Sequence, residues 1–502
     1  MIKAQPAAVV EGFPRARHEL EVLITWLTAP TAADLPHSVV EEHIQTEGLA
    51  VLRALDQGHL DRRAAADRRA AEARAARAGA AVTCATRVIE SLFGTVTLAR
   101  CAGPAATAGA PDFPLDRALN LPAEQDSLPV RQRVAEHARQ VSMAQTVAAV
   151  DRTTGAHVPK RQVEALVGRA AQDFDAFYAQ RPAPANDTAS AAALRVLTCD
   201  SKGIAMVPAA LRDATRKTAA AARAAQAAHR DPMAPRKRRK HDKRMALVSA
   251  VYLQEPCVRT AAEIAGDLAG TRPAGPRAAR PRPQQKTVAA SVIASQKAGI
   301  AALFDEAARR DPTHARTTVV LVDGEERQKA RITHEARARR WTLTVIVDLI
   351  HVLSYVWKAA TALSPDDRPA TERCVTAALR SLLGGEARAL ASRLRRLANQ
   401  QGLSGDARKP IDRCVGYLRK NAQHLRYDVY LAAGYPIATG VIEGACRHLV
   451  EDRMGITGAR WDLPGAEAVL RLRALAIHGD WDAYWAFHER QHAARLAEKR
   501  AA

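Results

Sequence analysis

The sequence has no CxxC pair, no long apolar run and no apolar stretch near its start. Each absence removes a class of protein. The seven cysteines (84, 101, 199, 257, 374, 414 and 446) are scattered, so neither a zinc ribbon nor a disulfide framework is expected, and a reducing cytoplasm fits. No segment of ~20 apolar residues occurs. The best candidate, WTLTVIVDLIHVLSYVWKAATAL, is interrupted by Asp348, His351 and Lys358, so no membrane partner is expected. The opening residues, MIKAQPAAVVEGFPRAR, hold no apolar signal core, which argues against secretion. Acid is also in short supply. Against 74 Lys and Arg stand 53 Asp and Glu, a net charge of +21, and an excess of that size points to a polyanionic partner. At 502 residues with 47% hydrophobic content, the chain has material for roughly two to four domains of ordinary size.

Helical signals dominate residues 1–90, where Leu20, Leu23, Ile24 and Leu27 recur at helical spacing and Gly58–Ala78 is a long Ala/Arg/Glu stretch. Ile89–Leu98 reads as a short strand or hairpin around Gly94, followed by the Gly/Ala/Pro loop Cys101–Pro114. Residues 128–180 return to helix. Within them SMAQTVAAVDRTTGAHVPKRQVEALVGRA reads as helix, turn at Gly155, helix, with Pro159 near the start of the second helix, where proline is tolerated. That pattern suits a DNA-reading helix-turn-helix or an ordinary helical hairpin.

The loop RPAPANDTAS (181–190) marks a boundary. Beyond it, strands are expected at Leu194–Cys199, Gly203–Val207 and Ala246–Leu253, then a Pro/Arg-rich linker over 269–285, a helix over 287–309, a strand ending at Asp323, a helix over 325–339 and a strand Trp341–Val347. Alternation of strand and helix implies a parallel pair in an α/β sheet. From His351 to about Leu431 the pattern is helical again, with Arg and Leu dense over Arg380–Asn399, and the last stretches, Gly465–Leu475 and Asp480–Leu496, are helical too.

Three acids stand out. Asp200 follows the apolar run LRVLTC, Asp323 follows TTVVLV, and Glu443 lies in the helical GVIEGACRHLV. A carboxylate at the carboxyl end of a strand points into the crevice where open α/β sheets bind ligands. Asp at a turn or helix cap is the alternative for the first two, and a surface Glu–Arg pair with Arg447 for the third. Two strand-end aspartates and a helical glutamate become a carboxylate cluster only if the strands are neighbours and the helix crosses them. Such a cluster would hold two divalent ions over a phosphodiester. Asp348 and His351, three apart after the last strand, compete for metal duty. Gln328 would sit on the first turns of a helix and donate to phosphate. The basic run Arg236–Arg244, with Arg236, Lys237, Arg238, Arg239 and Lys240 at its start, suits either a solvated charge run or phosphate-backbone contact.

Several of these segments together resemble a known family. CDSKGIAM, LVDGEERQ, VDLIHVLSYVWKAA and, above all, GYPIATGVIEGACRHLVEDRMGITGARW followed by GDWDAYWAF resemble the ISKra group of bacterial insertion-sequence transposases, themselves similar in design to mutator-like transposases. The resemblance runs from about residue 10 to 496. It implies a mostly α chain with an α/β ribonuclease-H-like catalytic core interrupted by an all-helical insertion. The organisation expected is a helical region with a short hairpin (1–100), a helical DNA-binding region (101–185), a first part of the core (190–360) with a basic insertion at 209–244, a helical insertion (361–432), and a catalytic glutamate helix with C-terminal helices (433–502). The family's metal-binding catalytic triad carries over to Asp200, Asp323 and Glu443. Asp348 and His351 match a C/D-x-x-H motif, which assigns them a supporting or DNA-contacting role. Lys202, His351 and Arg447 become candidate phosphate contacts. The resemblance implies two Mg²⁺ ions, replaceable by Mn²⁺. It implies double-stranded DNA as partner, both terminal inverted repeats and target, a homodimer or higher assembly, and a nucleoid-associated protein of the bacterial cytoplasm. A nuclease on the same core and a non-enzymatic DNA-binding descendant stay open beside it. The stretch 99–111 (ARCAGPAATAGAP) departs from the aromatic, tyrosine-containing segment expected there.

Overall fold

The computed structural model describes residues 13–102, 112–181, 189–228, 242–270 and 280–501. The loop around 103–111 and most of the basic run, including Arg236, Lys237, Arg238, Arg239 and Lys240, lie outside the described residues. So does most of the Pro/Arg-rich linker. The chain forms two compact units, one from residues up to Gln180 plus Arg471–Ala502, the other Arg181–Leu470. No helix among the described residues is long and apolar enough to cross a membrane.

The first unit is mainly helical. Helix α1 (Pro14–Thr28), the short α2 (Pro30–Ala33) and the 42-residue α3 (His37–Ala78) form an antiparallel hairpin. Strand begins at Cys84, inside the region read as helix. β1 (Cys84–Ser91) pairs with β2 (Gly94–Cys101). Their register sets Cys84 opposite Cys101, and the two are joined by a disulfide. No disulfide was expected from the scattered cysteines, and this one pair departs from that, while the other five are free. Seventeen residues apart look scattered, but a tight turn at Gly94 (φ +114°) folds the ends of the hairpin onto each other.

After α4 (Pro114–Ala118), the helices α5 (Leu128–Ala138), α6 (Met143–Thr153) and α7 (Lys160–Ala170) pack pairwise around Val130, Val134, Val150, Val163, Leu166 and Val167. Ser127 and Ser142 cap α5 and α6. The turn between α6 and α7 is braced by the β-hairpin, since Gly155 N–H donates to the Leu92 carbonyl at 2.8 Å. A Cβ at Gly155 would stand 2.4 Å from the Phe93 carbonyl oxygen, so only glycine fits. Helices α8 (Phe174–Gln180) and α21 (Trp481–Ala501) complete the unit, tied by Asp173, which bonds both His488 (2.6 Å) and Arg495 (2.6 Å).

The second unit is built on a five-stranded mixed sheet. Its strands are β3 (Leu194–Ala205), β4 (Lys243–Gln254), β5 (Gln284–Ser291), β6 (Thr318–Val322) and β7 (Leu343–Val347), in the order β5-β4-β3-β6-β7. The first three are antiparallel. β6 runs parallel to β3 and β7 parallel to β6. The expected parallel pair is present, but two local readings change. The runs Leu194–Cys199 and Gly203–Val207 are one strand, because β4 pairs with it along its whole length from Leu194↔Gln254 to Ala205↔Lys243. The helix expected over 287–309 begins only at α11 (Gln296–Arg310), capped by Ser295, and Gln284–Ser291 is an edge strand on β4. Ala-rich residues there are read as helix by propensity, and the ladder of hydrogen bonds from β4 overrides it.

Helices α9 (Asp213–Ala228), α10 (Ala261–Ala269) and α12 (Glu326–Ala338) join the strands. A helical block follows β7: α13 (Leu349–Leu363), α14 (Arg368–Leu383), α15 (Ala387–Gln400), α16 (Gly405–Asn421) and α17 (Tyr427–Ala432). Then come α18 (Gly440–Ala445), a π-helical turn Cys446–Glu451, α19 (Asp452–Met454) and α20 (Leu463–His478). One apolar core runs from the sheet into the block, joining Val196, Val320 and Ile346 to Leu390, Leu394 and Leu418. At the amino end of β3, buried Arg195 pairs with Asp311 (3.0 Å), bonds Thr318 and stacks over Trp341. Breaking a buried pair from one side typically costs about 3–5 kcal/mol. Arg195→Ala should lower the stability of this unit by about 3 kcal/mol in urea denaturation.

Candidate active site

β3 and β6 fix the first two carboxylates. In their parallel register Thr198 faces Leu321, so two residues further on Asp200 and Asp323 stand at neighbouring positions. Asp200 lies within β3, opposite Val248 of β4, not at the end of its strand. Asp323 lies just past the carboxyl end of β6. Both are half-buried. Burial, with Asp323 and Asp200 adding to it, pushes the Cys199 thiol up to about 12. The same residue thus feels both acids.

Helix α18 packs on β3 and β4. One turn after Glu443, Cys446 directs its Sγ at Asp200 Oδ2, 3.6 Å away. Burial and then Asp200 push this thiol to about 12 as well, so it stays protonated and donates. Glu443 is exposed on the same short helix. Among the described residues none of Asp200, Asp323 and Glu443 has an ion-pair partner. Two carboxylates on adjacent strands, roughly 5 Å apart, repel by about 3 kcal/mol at an effective dielectric constant near 20. A hard cation relieves that cost, and carboxylate oxygens are its preferred donors. Asp200 and Asp323 fit such an ion as adjacent donors. The trio is not drawn together, and among the described residues no group of three His, Cys, Asp or Glu is arranged to hold a metal.

Each carboxylate position is held from behind. Asp323 turns on Gly324, whose φ of +89° favours glycine, and the Tyr417 hydroxyl of α16 donates to the Asp323 carbonyl at 2.5 Å. A Cβ on Gly324 would meet that hydroxyl oxygen at 2.6 Å. Tyr417 stacks on Tyr355 of α13, with ring centroids 4.3 Å apart. His351 lies near both rings, at 5.5 Å from Tyr355 and 6.0 Å from Tyr417.

Asp348 has a defined structural task. It is 2% exposed and caps α13 by accepting from His351 N–H at 2.6 Å. Its other oxygen accepts from the Thr439 hydroxyl at 2.6 Å and from Thr439 N–H. Thr439 precedes α18, and Glu443 N–H bonds the Thr439 carbonyl at 3.1 Å. Asp348 therefore anchors the start of the helix that carries Glu443. The sequence places Asp348 beside His351 as a possible metal pair, but in the fold its carboxylate is fully engaged by backbone and hydroxyl donors.

The other candidates divide. Gln328 was expected to reach phosphate. It is 2% exposed and donates instead to the Cys199 carbonyl at 2.9 Å, pinning α12 to β3. Apolar positions on the same face of α12, Ile332 and Ala336, draw it onto the sheet. Lys202 pairs with Glu451 of the π-helical turn at 2.7 Å, and this bond raises its pKa. Arg447 is exposed and its nearest acid is Asp452, at 3.8 Å, so the Glu443–Arg447 pair suggested by i, i+4 spacing is not formed. The widening of the helix from Cys446 onward shifts that spacing. Sequence reasoning missed Tyr417 and Cys446. Neither carries a local signal, because each acts through a partner more than 90 residues away.

No protein-family profile matches the chain, and no curated protein matches it. The two kinds of carboxylate separate by experiment. Asp348→Ala strands the Thr439 donors and unpins α18, so it should lower stability by about 2–4 kcal/mol, with the orphaned groups contributing about 1–3 kcal/mol each. Asp323→Asn should leave the urea midpoint unchanged or raised, because it removes repulsion and no ion pair. Denaturation of both variants without Mg²⁺ checks this, and in the Asp323 variant added Mg²⁺ should stabilise less than in the unaltered chain.

Proposed function

We propose that the chain is a DNA transposase with a ribonuclease-H-like core, which cuts at the ends of a mobile element and joins them to target DNA. The observation that carries this reading is the side-by-side placement of Asp200 and Asp323 on parallel strands, free of ion pairs among the described residues, in a chain of net charge +21. A mixed sheet with one carboxylate on its central strand and another at the end of the parallel neighbour is what that core requires. A long helical block between β7 and the Glu443 helix is consistent with the insertion.

In this reading Asp200 and Asp323, joined by Glu443 when DNA is bound, would hold two divalent ions, Mg²⁺ or Mn²⁺, which would supply charge neutralisation and activation of the attacking oxygen. The chain's own residues do the positioning. Tyr417 and Gly324 set the height of Asp323 above the sheet. Asp348 sets where Glu443 begins its helix. Cys446 donates to Asp200 and limits how that carboxylate turns. Arg447 and His448, both exposed beyond Glu443, face solvent where a phosphate backbone can reach them. In-line displacement at phosphorus asks little covalent chemistry of the protein, so placement carries most of the rate.

The three-helix cluster α5–α7 supports the helix-turn-helix reading for end recognition. Its last helix turns Lys160, Arg161, Glu164, Ala165 and Gly168 outward, a mixed face suited to a groove.

Asp200→Asn and Glu443→Gln should each abolish cleavage and strand transfer on repeat-ended DNA while leaving binding intact. Products joined to target DNA separate transposition from hydrolysis, and unchanged activity in either variant removes the site. Lys160→Ala with Arg161→Ala should weaken repeat binding and reduce the salt slope by about 2, read from binding isotherms at several salt concentrations.

A further inference from the structure

Half of the large hydrophobic side chains left exposed in the described residues crowd into one short region. Leu20, Val22, Ile24, Leu27, Leu35, Val39, Ile44, Leu52 and Leu55 are all 37–50% exposed, and only nine others share that state. All belong to the α1–α3 hairpin. Its two long helices run antiparallel, since Trp26 stacks on His43 at 3.6 Å while Arg62 lies over Phe13.

Val22 and Val39 point to the far side of the hairpin, and helical spacing sorts the rest of α3 facing α1 into two seams. One seam, Val40, His43, Glu47, Ala50 and Ala54, turns towards α1 and is buried or half-buried. The second, Ile44, Gly48, Val51 and Leu55, follows the same alternation of four and three residues but points elsewhere. On α1, Leu20, Ile24 and Leu27 repeat the pattern beside buried Leu23. At 100° per residue each exposed seam lies about a quarter turn from its helix's buried seam, in the same rotational sense. In an antiparallel pair that sense places both seams on one side of the hairpin. A helix with two such seams packs between two neighbours, as in a four-helix bundle.

We infer that this face binds the same face of a second copy of the chain, in antiparallel orientation, forming a four-helix bundle. Two helices on each side complete the count, and the identical patch on both partners satisfies twofold symmetry. Charge selects the orientation. Between Glu19 and Leu52 there are six acidic residues and no Lys or Arg. Asp34, Glu41, Glu42 and Glu47 lie towards the closed tip, whereas Arg15, Arg17, Arg53, Arg62 and Arg63 outnumber Asp56 and Asp61 towards the open end. Antiparallel pairing sets each acidic tip against the other copy's basic end, while tip-to-tip pairing would crowd eight carboxylates together. The acidic tip also repels DNA. Two helices, about 20 Å wide and 25–40 Å long, offer enough area for the ~800 Å² per partner of a stable dimer. Gly48 has nothing within 4 Å of a built Cβ, so an approaching helix can come close there.

The test is the mass of the full chain by light scattering and sedimentation equilibrium at high salt, across micromolar concentrations. A dimer is expected. Ile24→Asp with Leu55→Asp should raise its dissociation constant at least tenfold, as loss of a central apolar anchor does. Gly48→Leu provides a second variant that keeps the helix, since leucine favours it over glycine and the added side chain enters open space; it too should weaken the dimer. Circular dichroism checks that all variants remain folded. Gly48→Cys should cross-link to itself with a short bismaleimide above the level of the unaltered chain, and Leu35→Cys should not. A monomer at every concentration, or a dimer indifferent to both surface changes, overturns the proposal. Self-cross-linking at Leu35→Cys overturns the antiparallel arrangement. None of these readouts depends on DNA cleavage.

Discussion

Two like charges held on adjacent parallel strands are the constraint around which the second unit is organised. The β3–β6 register leaves Asp200 and Asp323 little choice of distance, and no cation of the described chain pairs with either. Backbone pairing along twelve residues of β3 with β4 supplies the rigidity that keeps them there. Such repulsion is tolerated only when the sheet beneath is stable in its own right. The continuous core from Val196 through Val320 to Leu418 provides that stability. The acids are thus imposed on the fold by a scaffold that does not need them.

Supporting contacts reach this region from elements far away in sequence. Gln328 pins α12 to the Cys199 carbonyl, one residue from Asp200. Tyr417 comes from α16 and reaches the Asp323 carbonyl. Asp348 joins the end of β7 to the start of α18. In each case the contact is made to backbone or to a hydroxyl, with no counter-charge brought in. The local field therefore stays negative, while the exposed charge of the chain as a whole is strongly positive.

Much of this was legible in the sequence, and the parts that were not have a common cause. The β6 and β7 strands and the helix between them follow from apolar runs bounded by turn residues, which is local information. The full length of β3 was not legible, because Ser201, Lys202 and Gly203 have weak strand propensity and become strand by pairing with Leu247, Ala246 and Met245. β5 was lost for the same reason. The carboxylates were visible as acids after apolar runs, but their adjacency depends on register, which no single segment encodes. Asp348 announced itself through spacing to His351. Its bond to Thr439 lies 91 residues away, beyond any local pattern. Cys84 and Cys101 likewise became partners only once the hairpin turn was placed.

The bond between Asp348 and Thr439 also closes a loop of 91 residues. Closing a loop of that length costs about 4 kcal/mol of chain entropy, and the carboxylate alone does not offset it. The helices between them share the sheet's core, and their packing brings the two ends close. Glu443, the last of the three acids along the chain, is thus placed by packing that spans the whole block. Because the core beneath β3 and β6 continues into this block, a chain interrupted within it would weaken the footing of all three acids at once, so the charge-bearing site depends on the block as much as on the sheet.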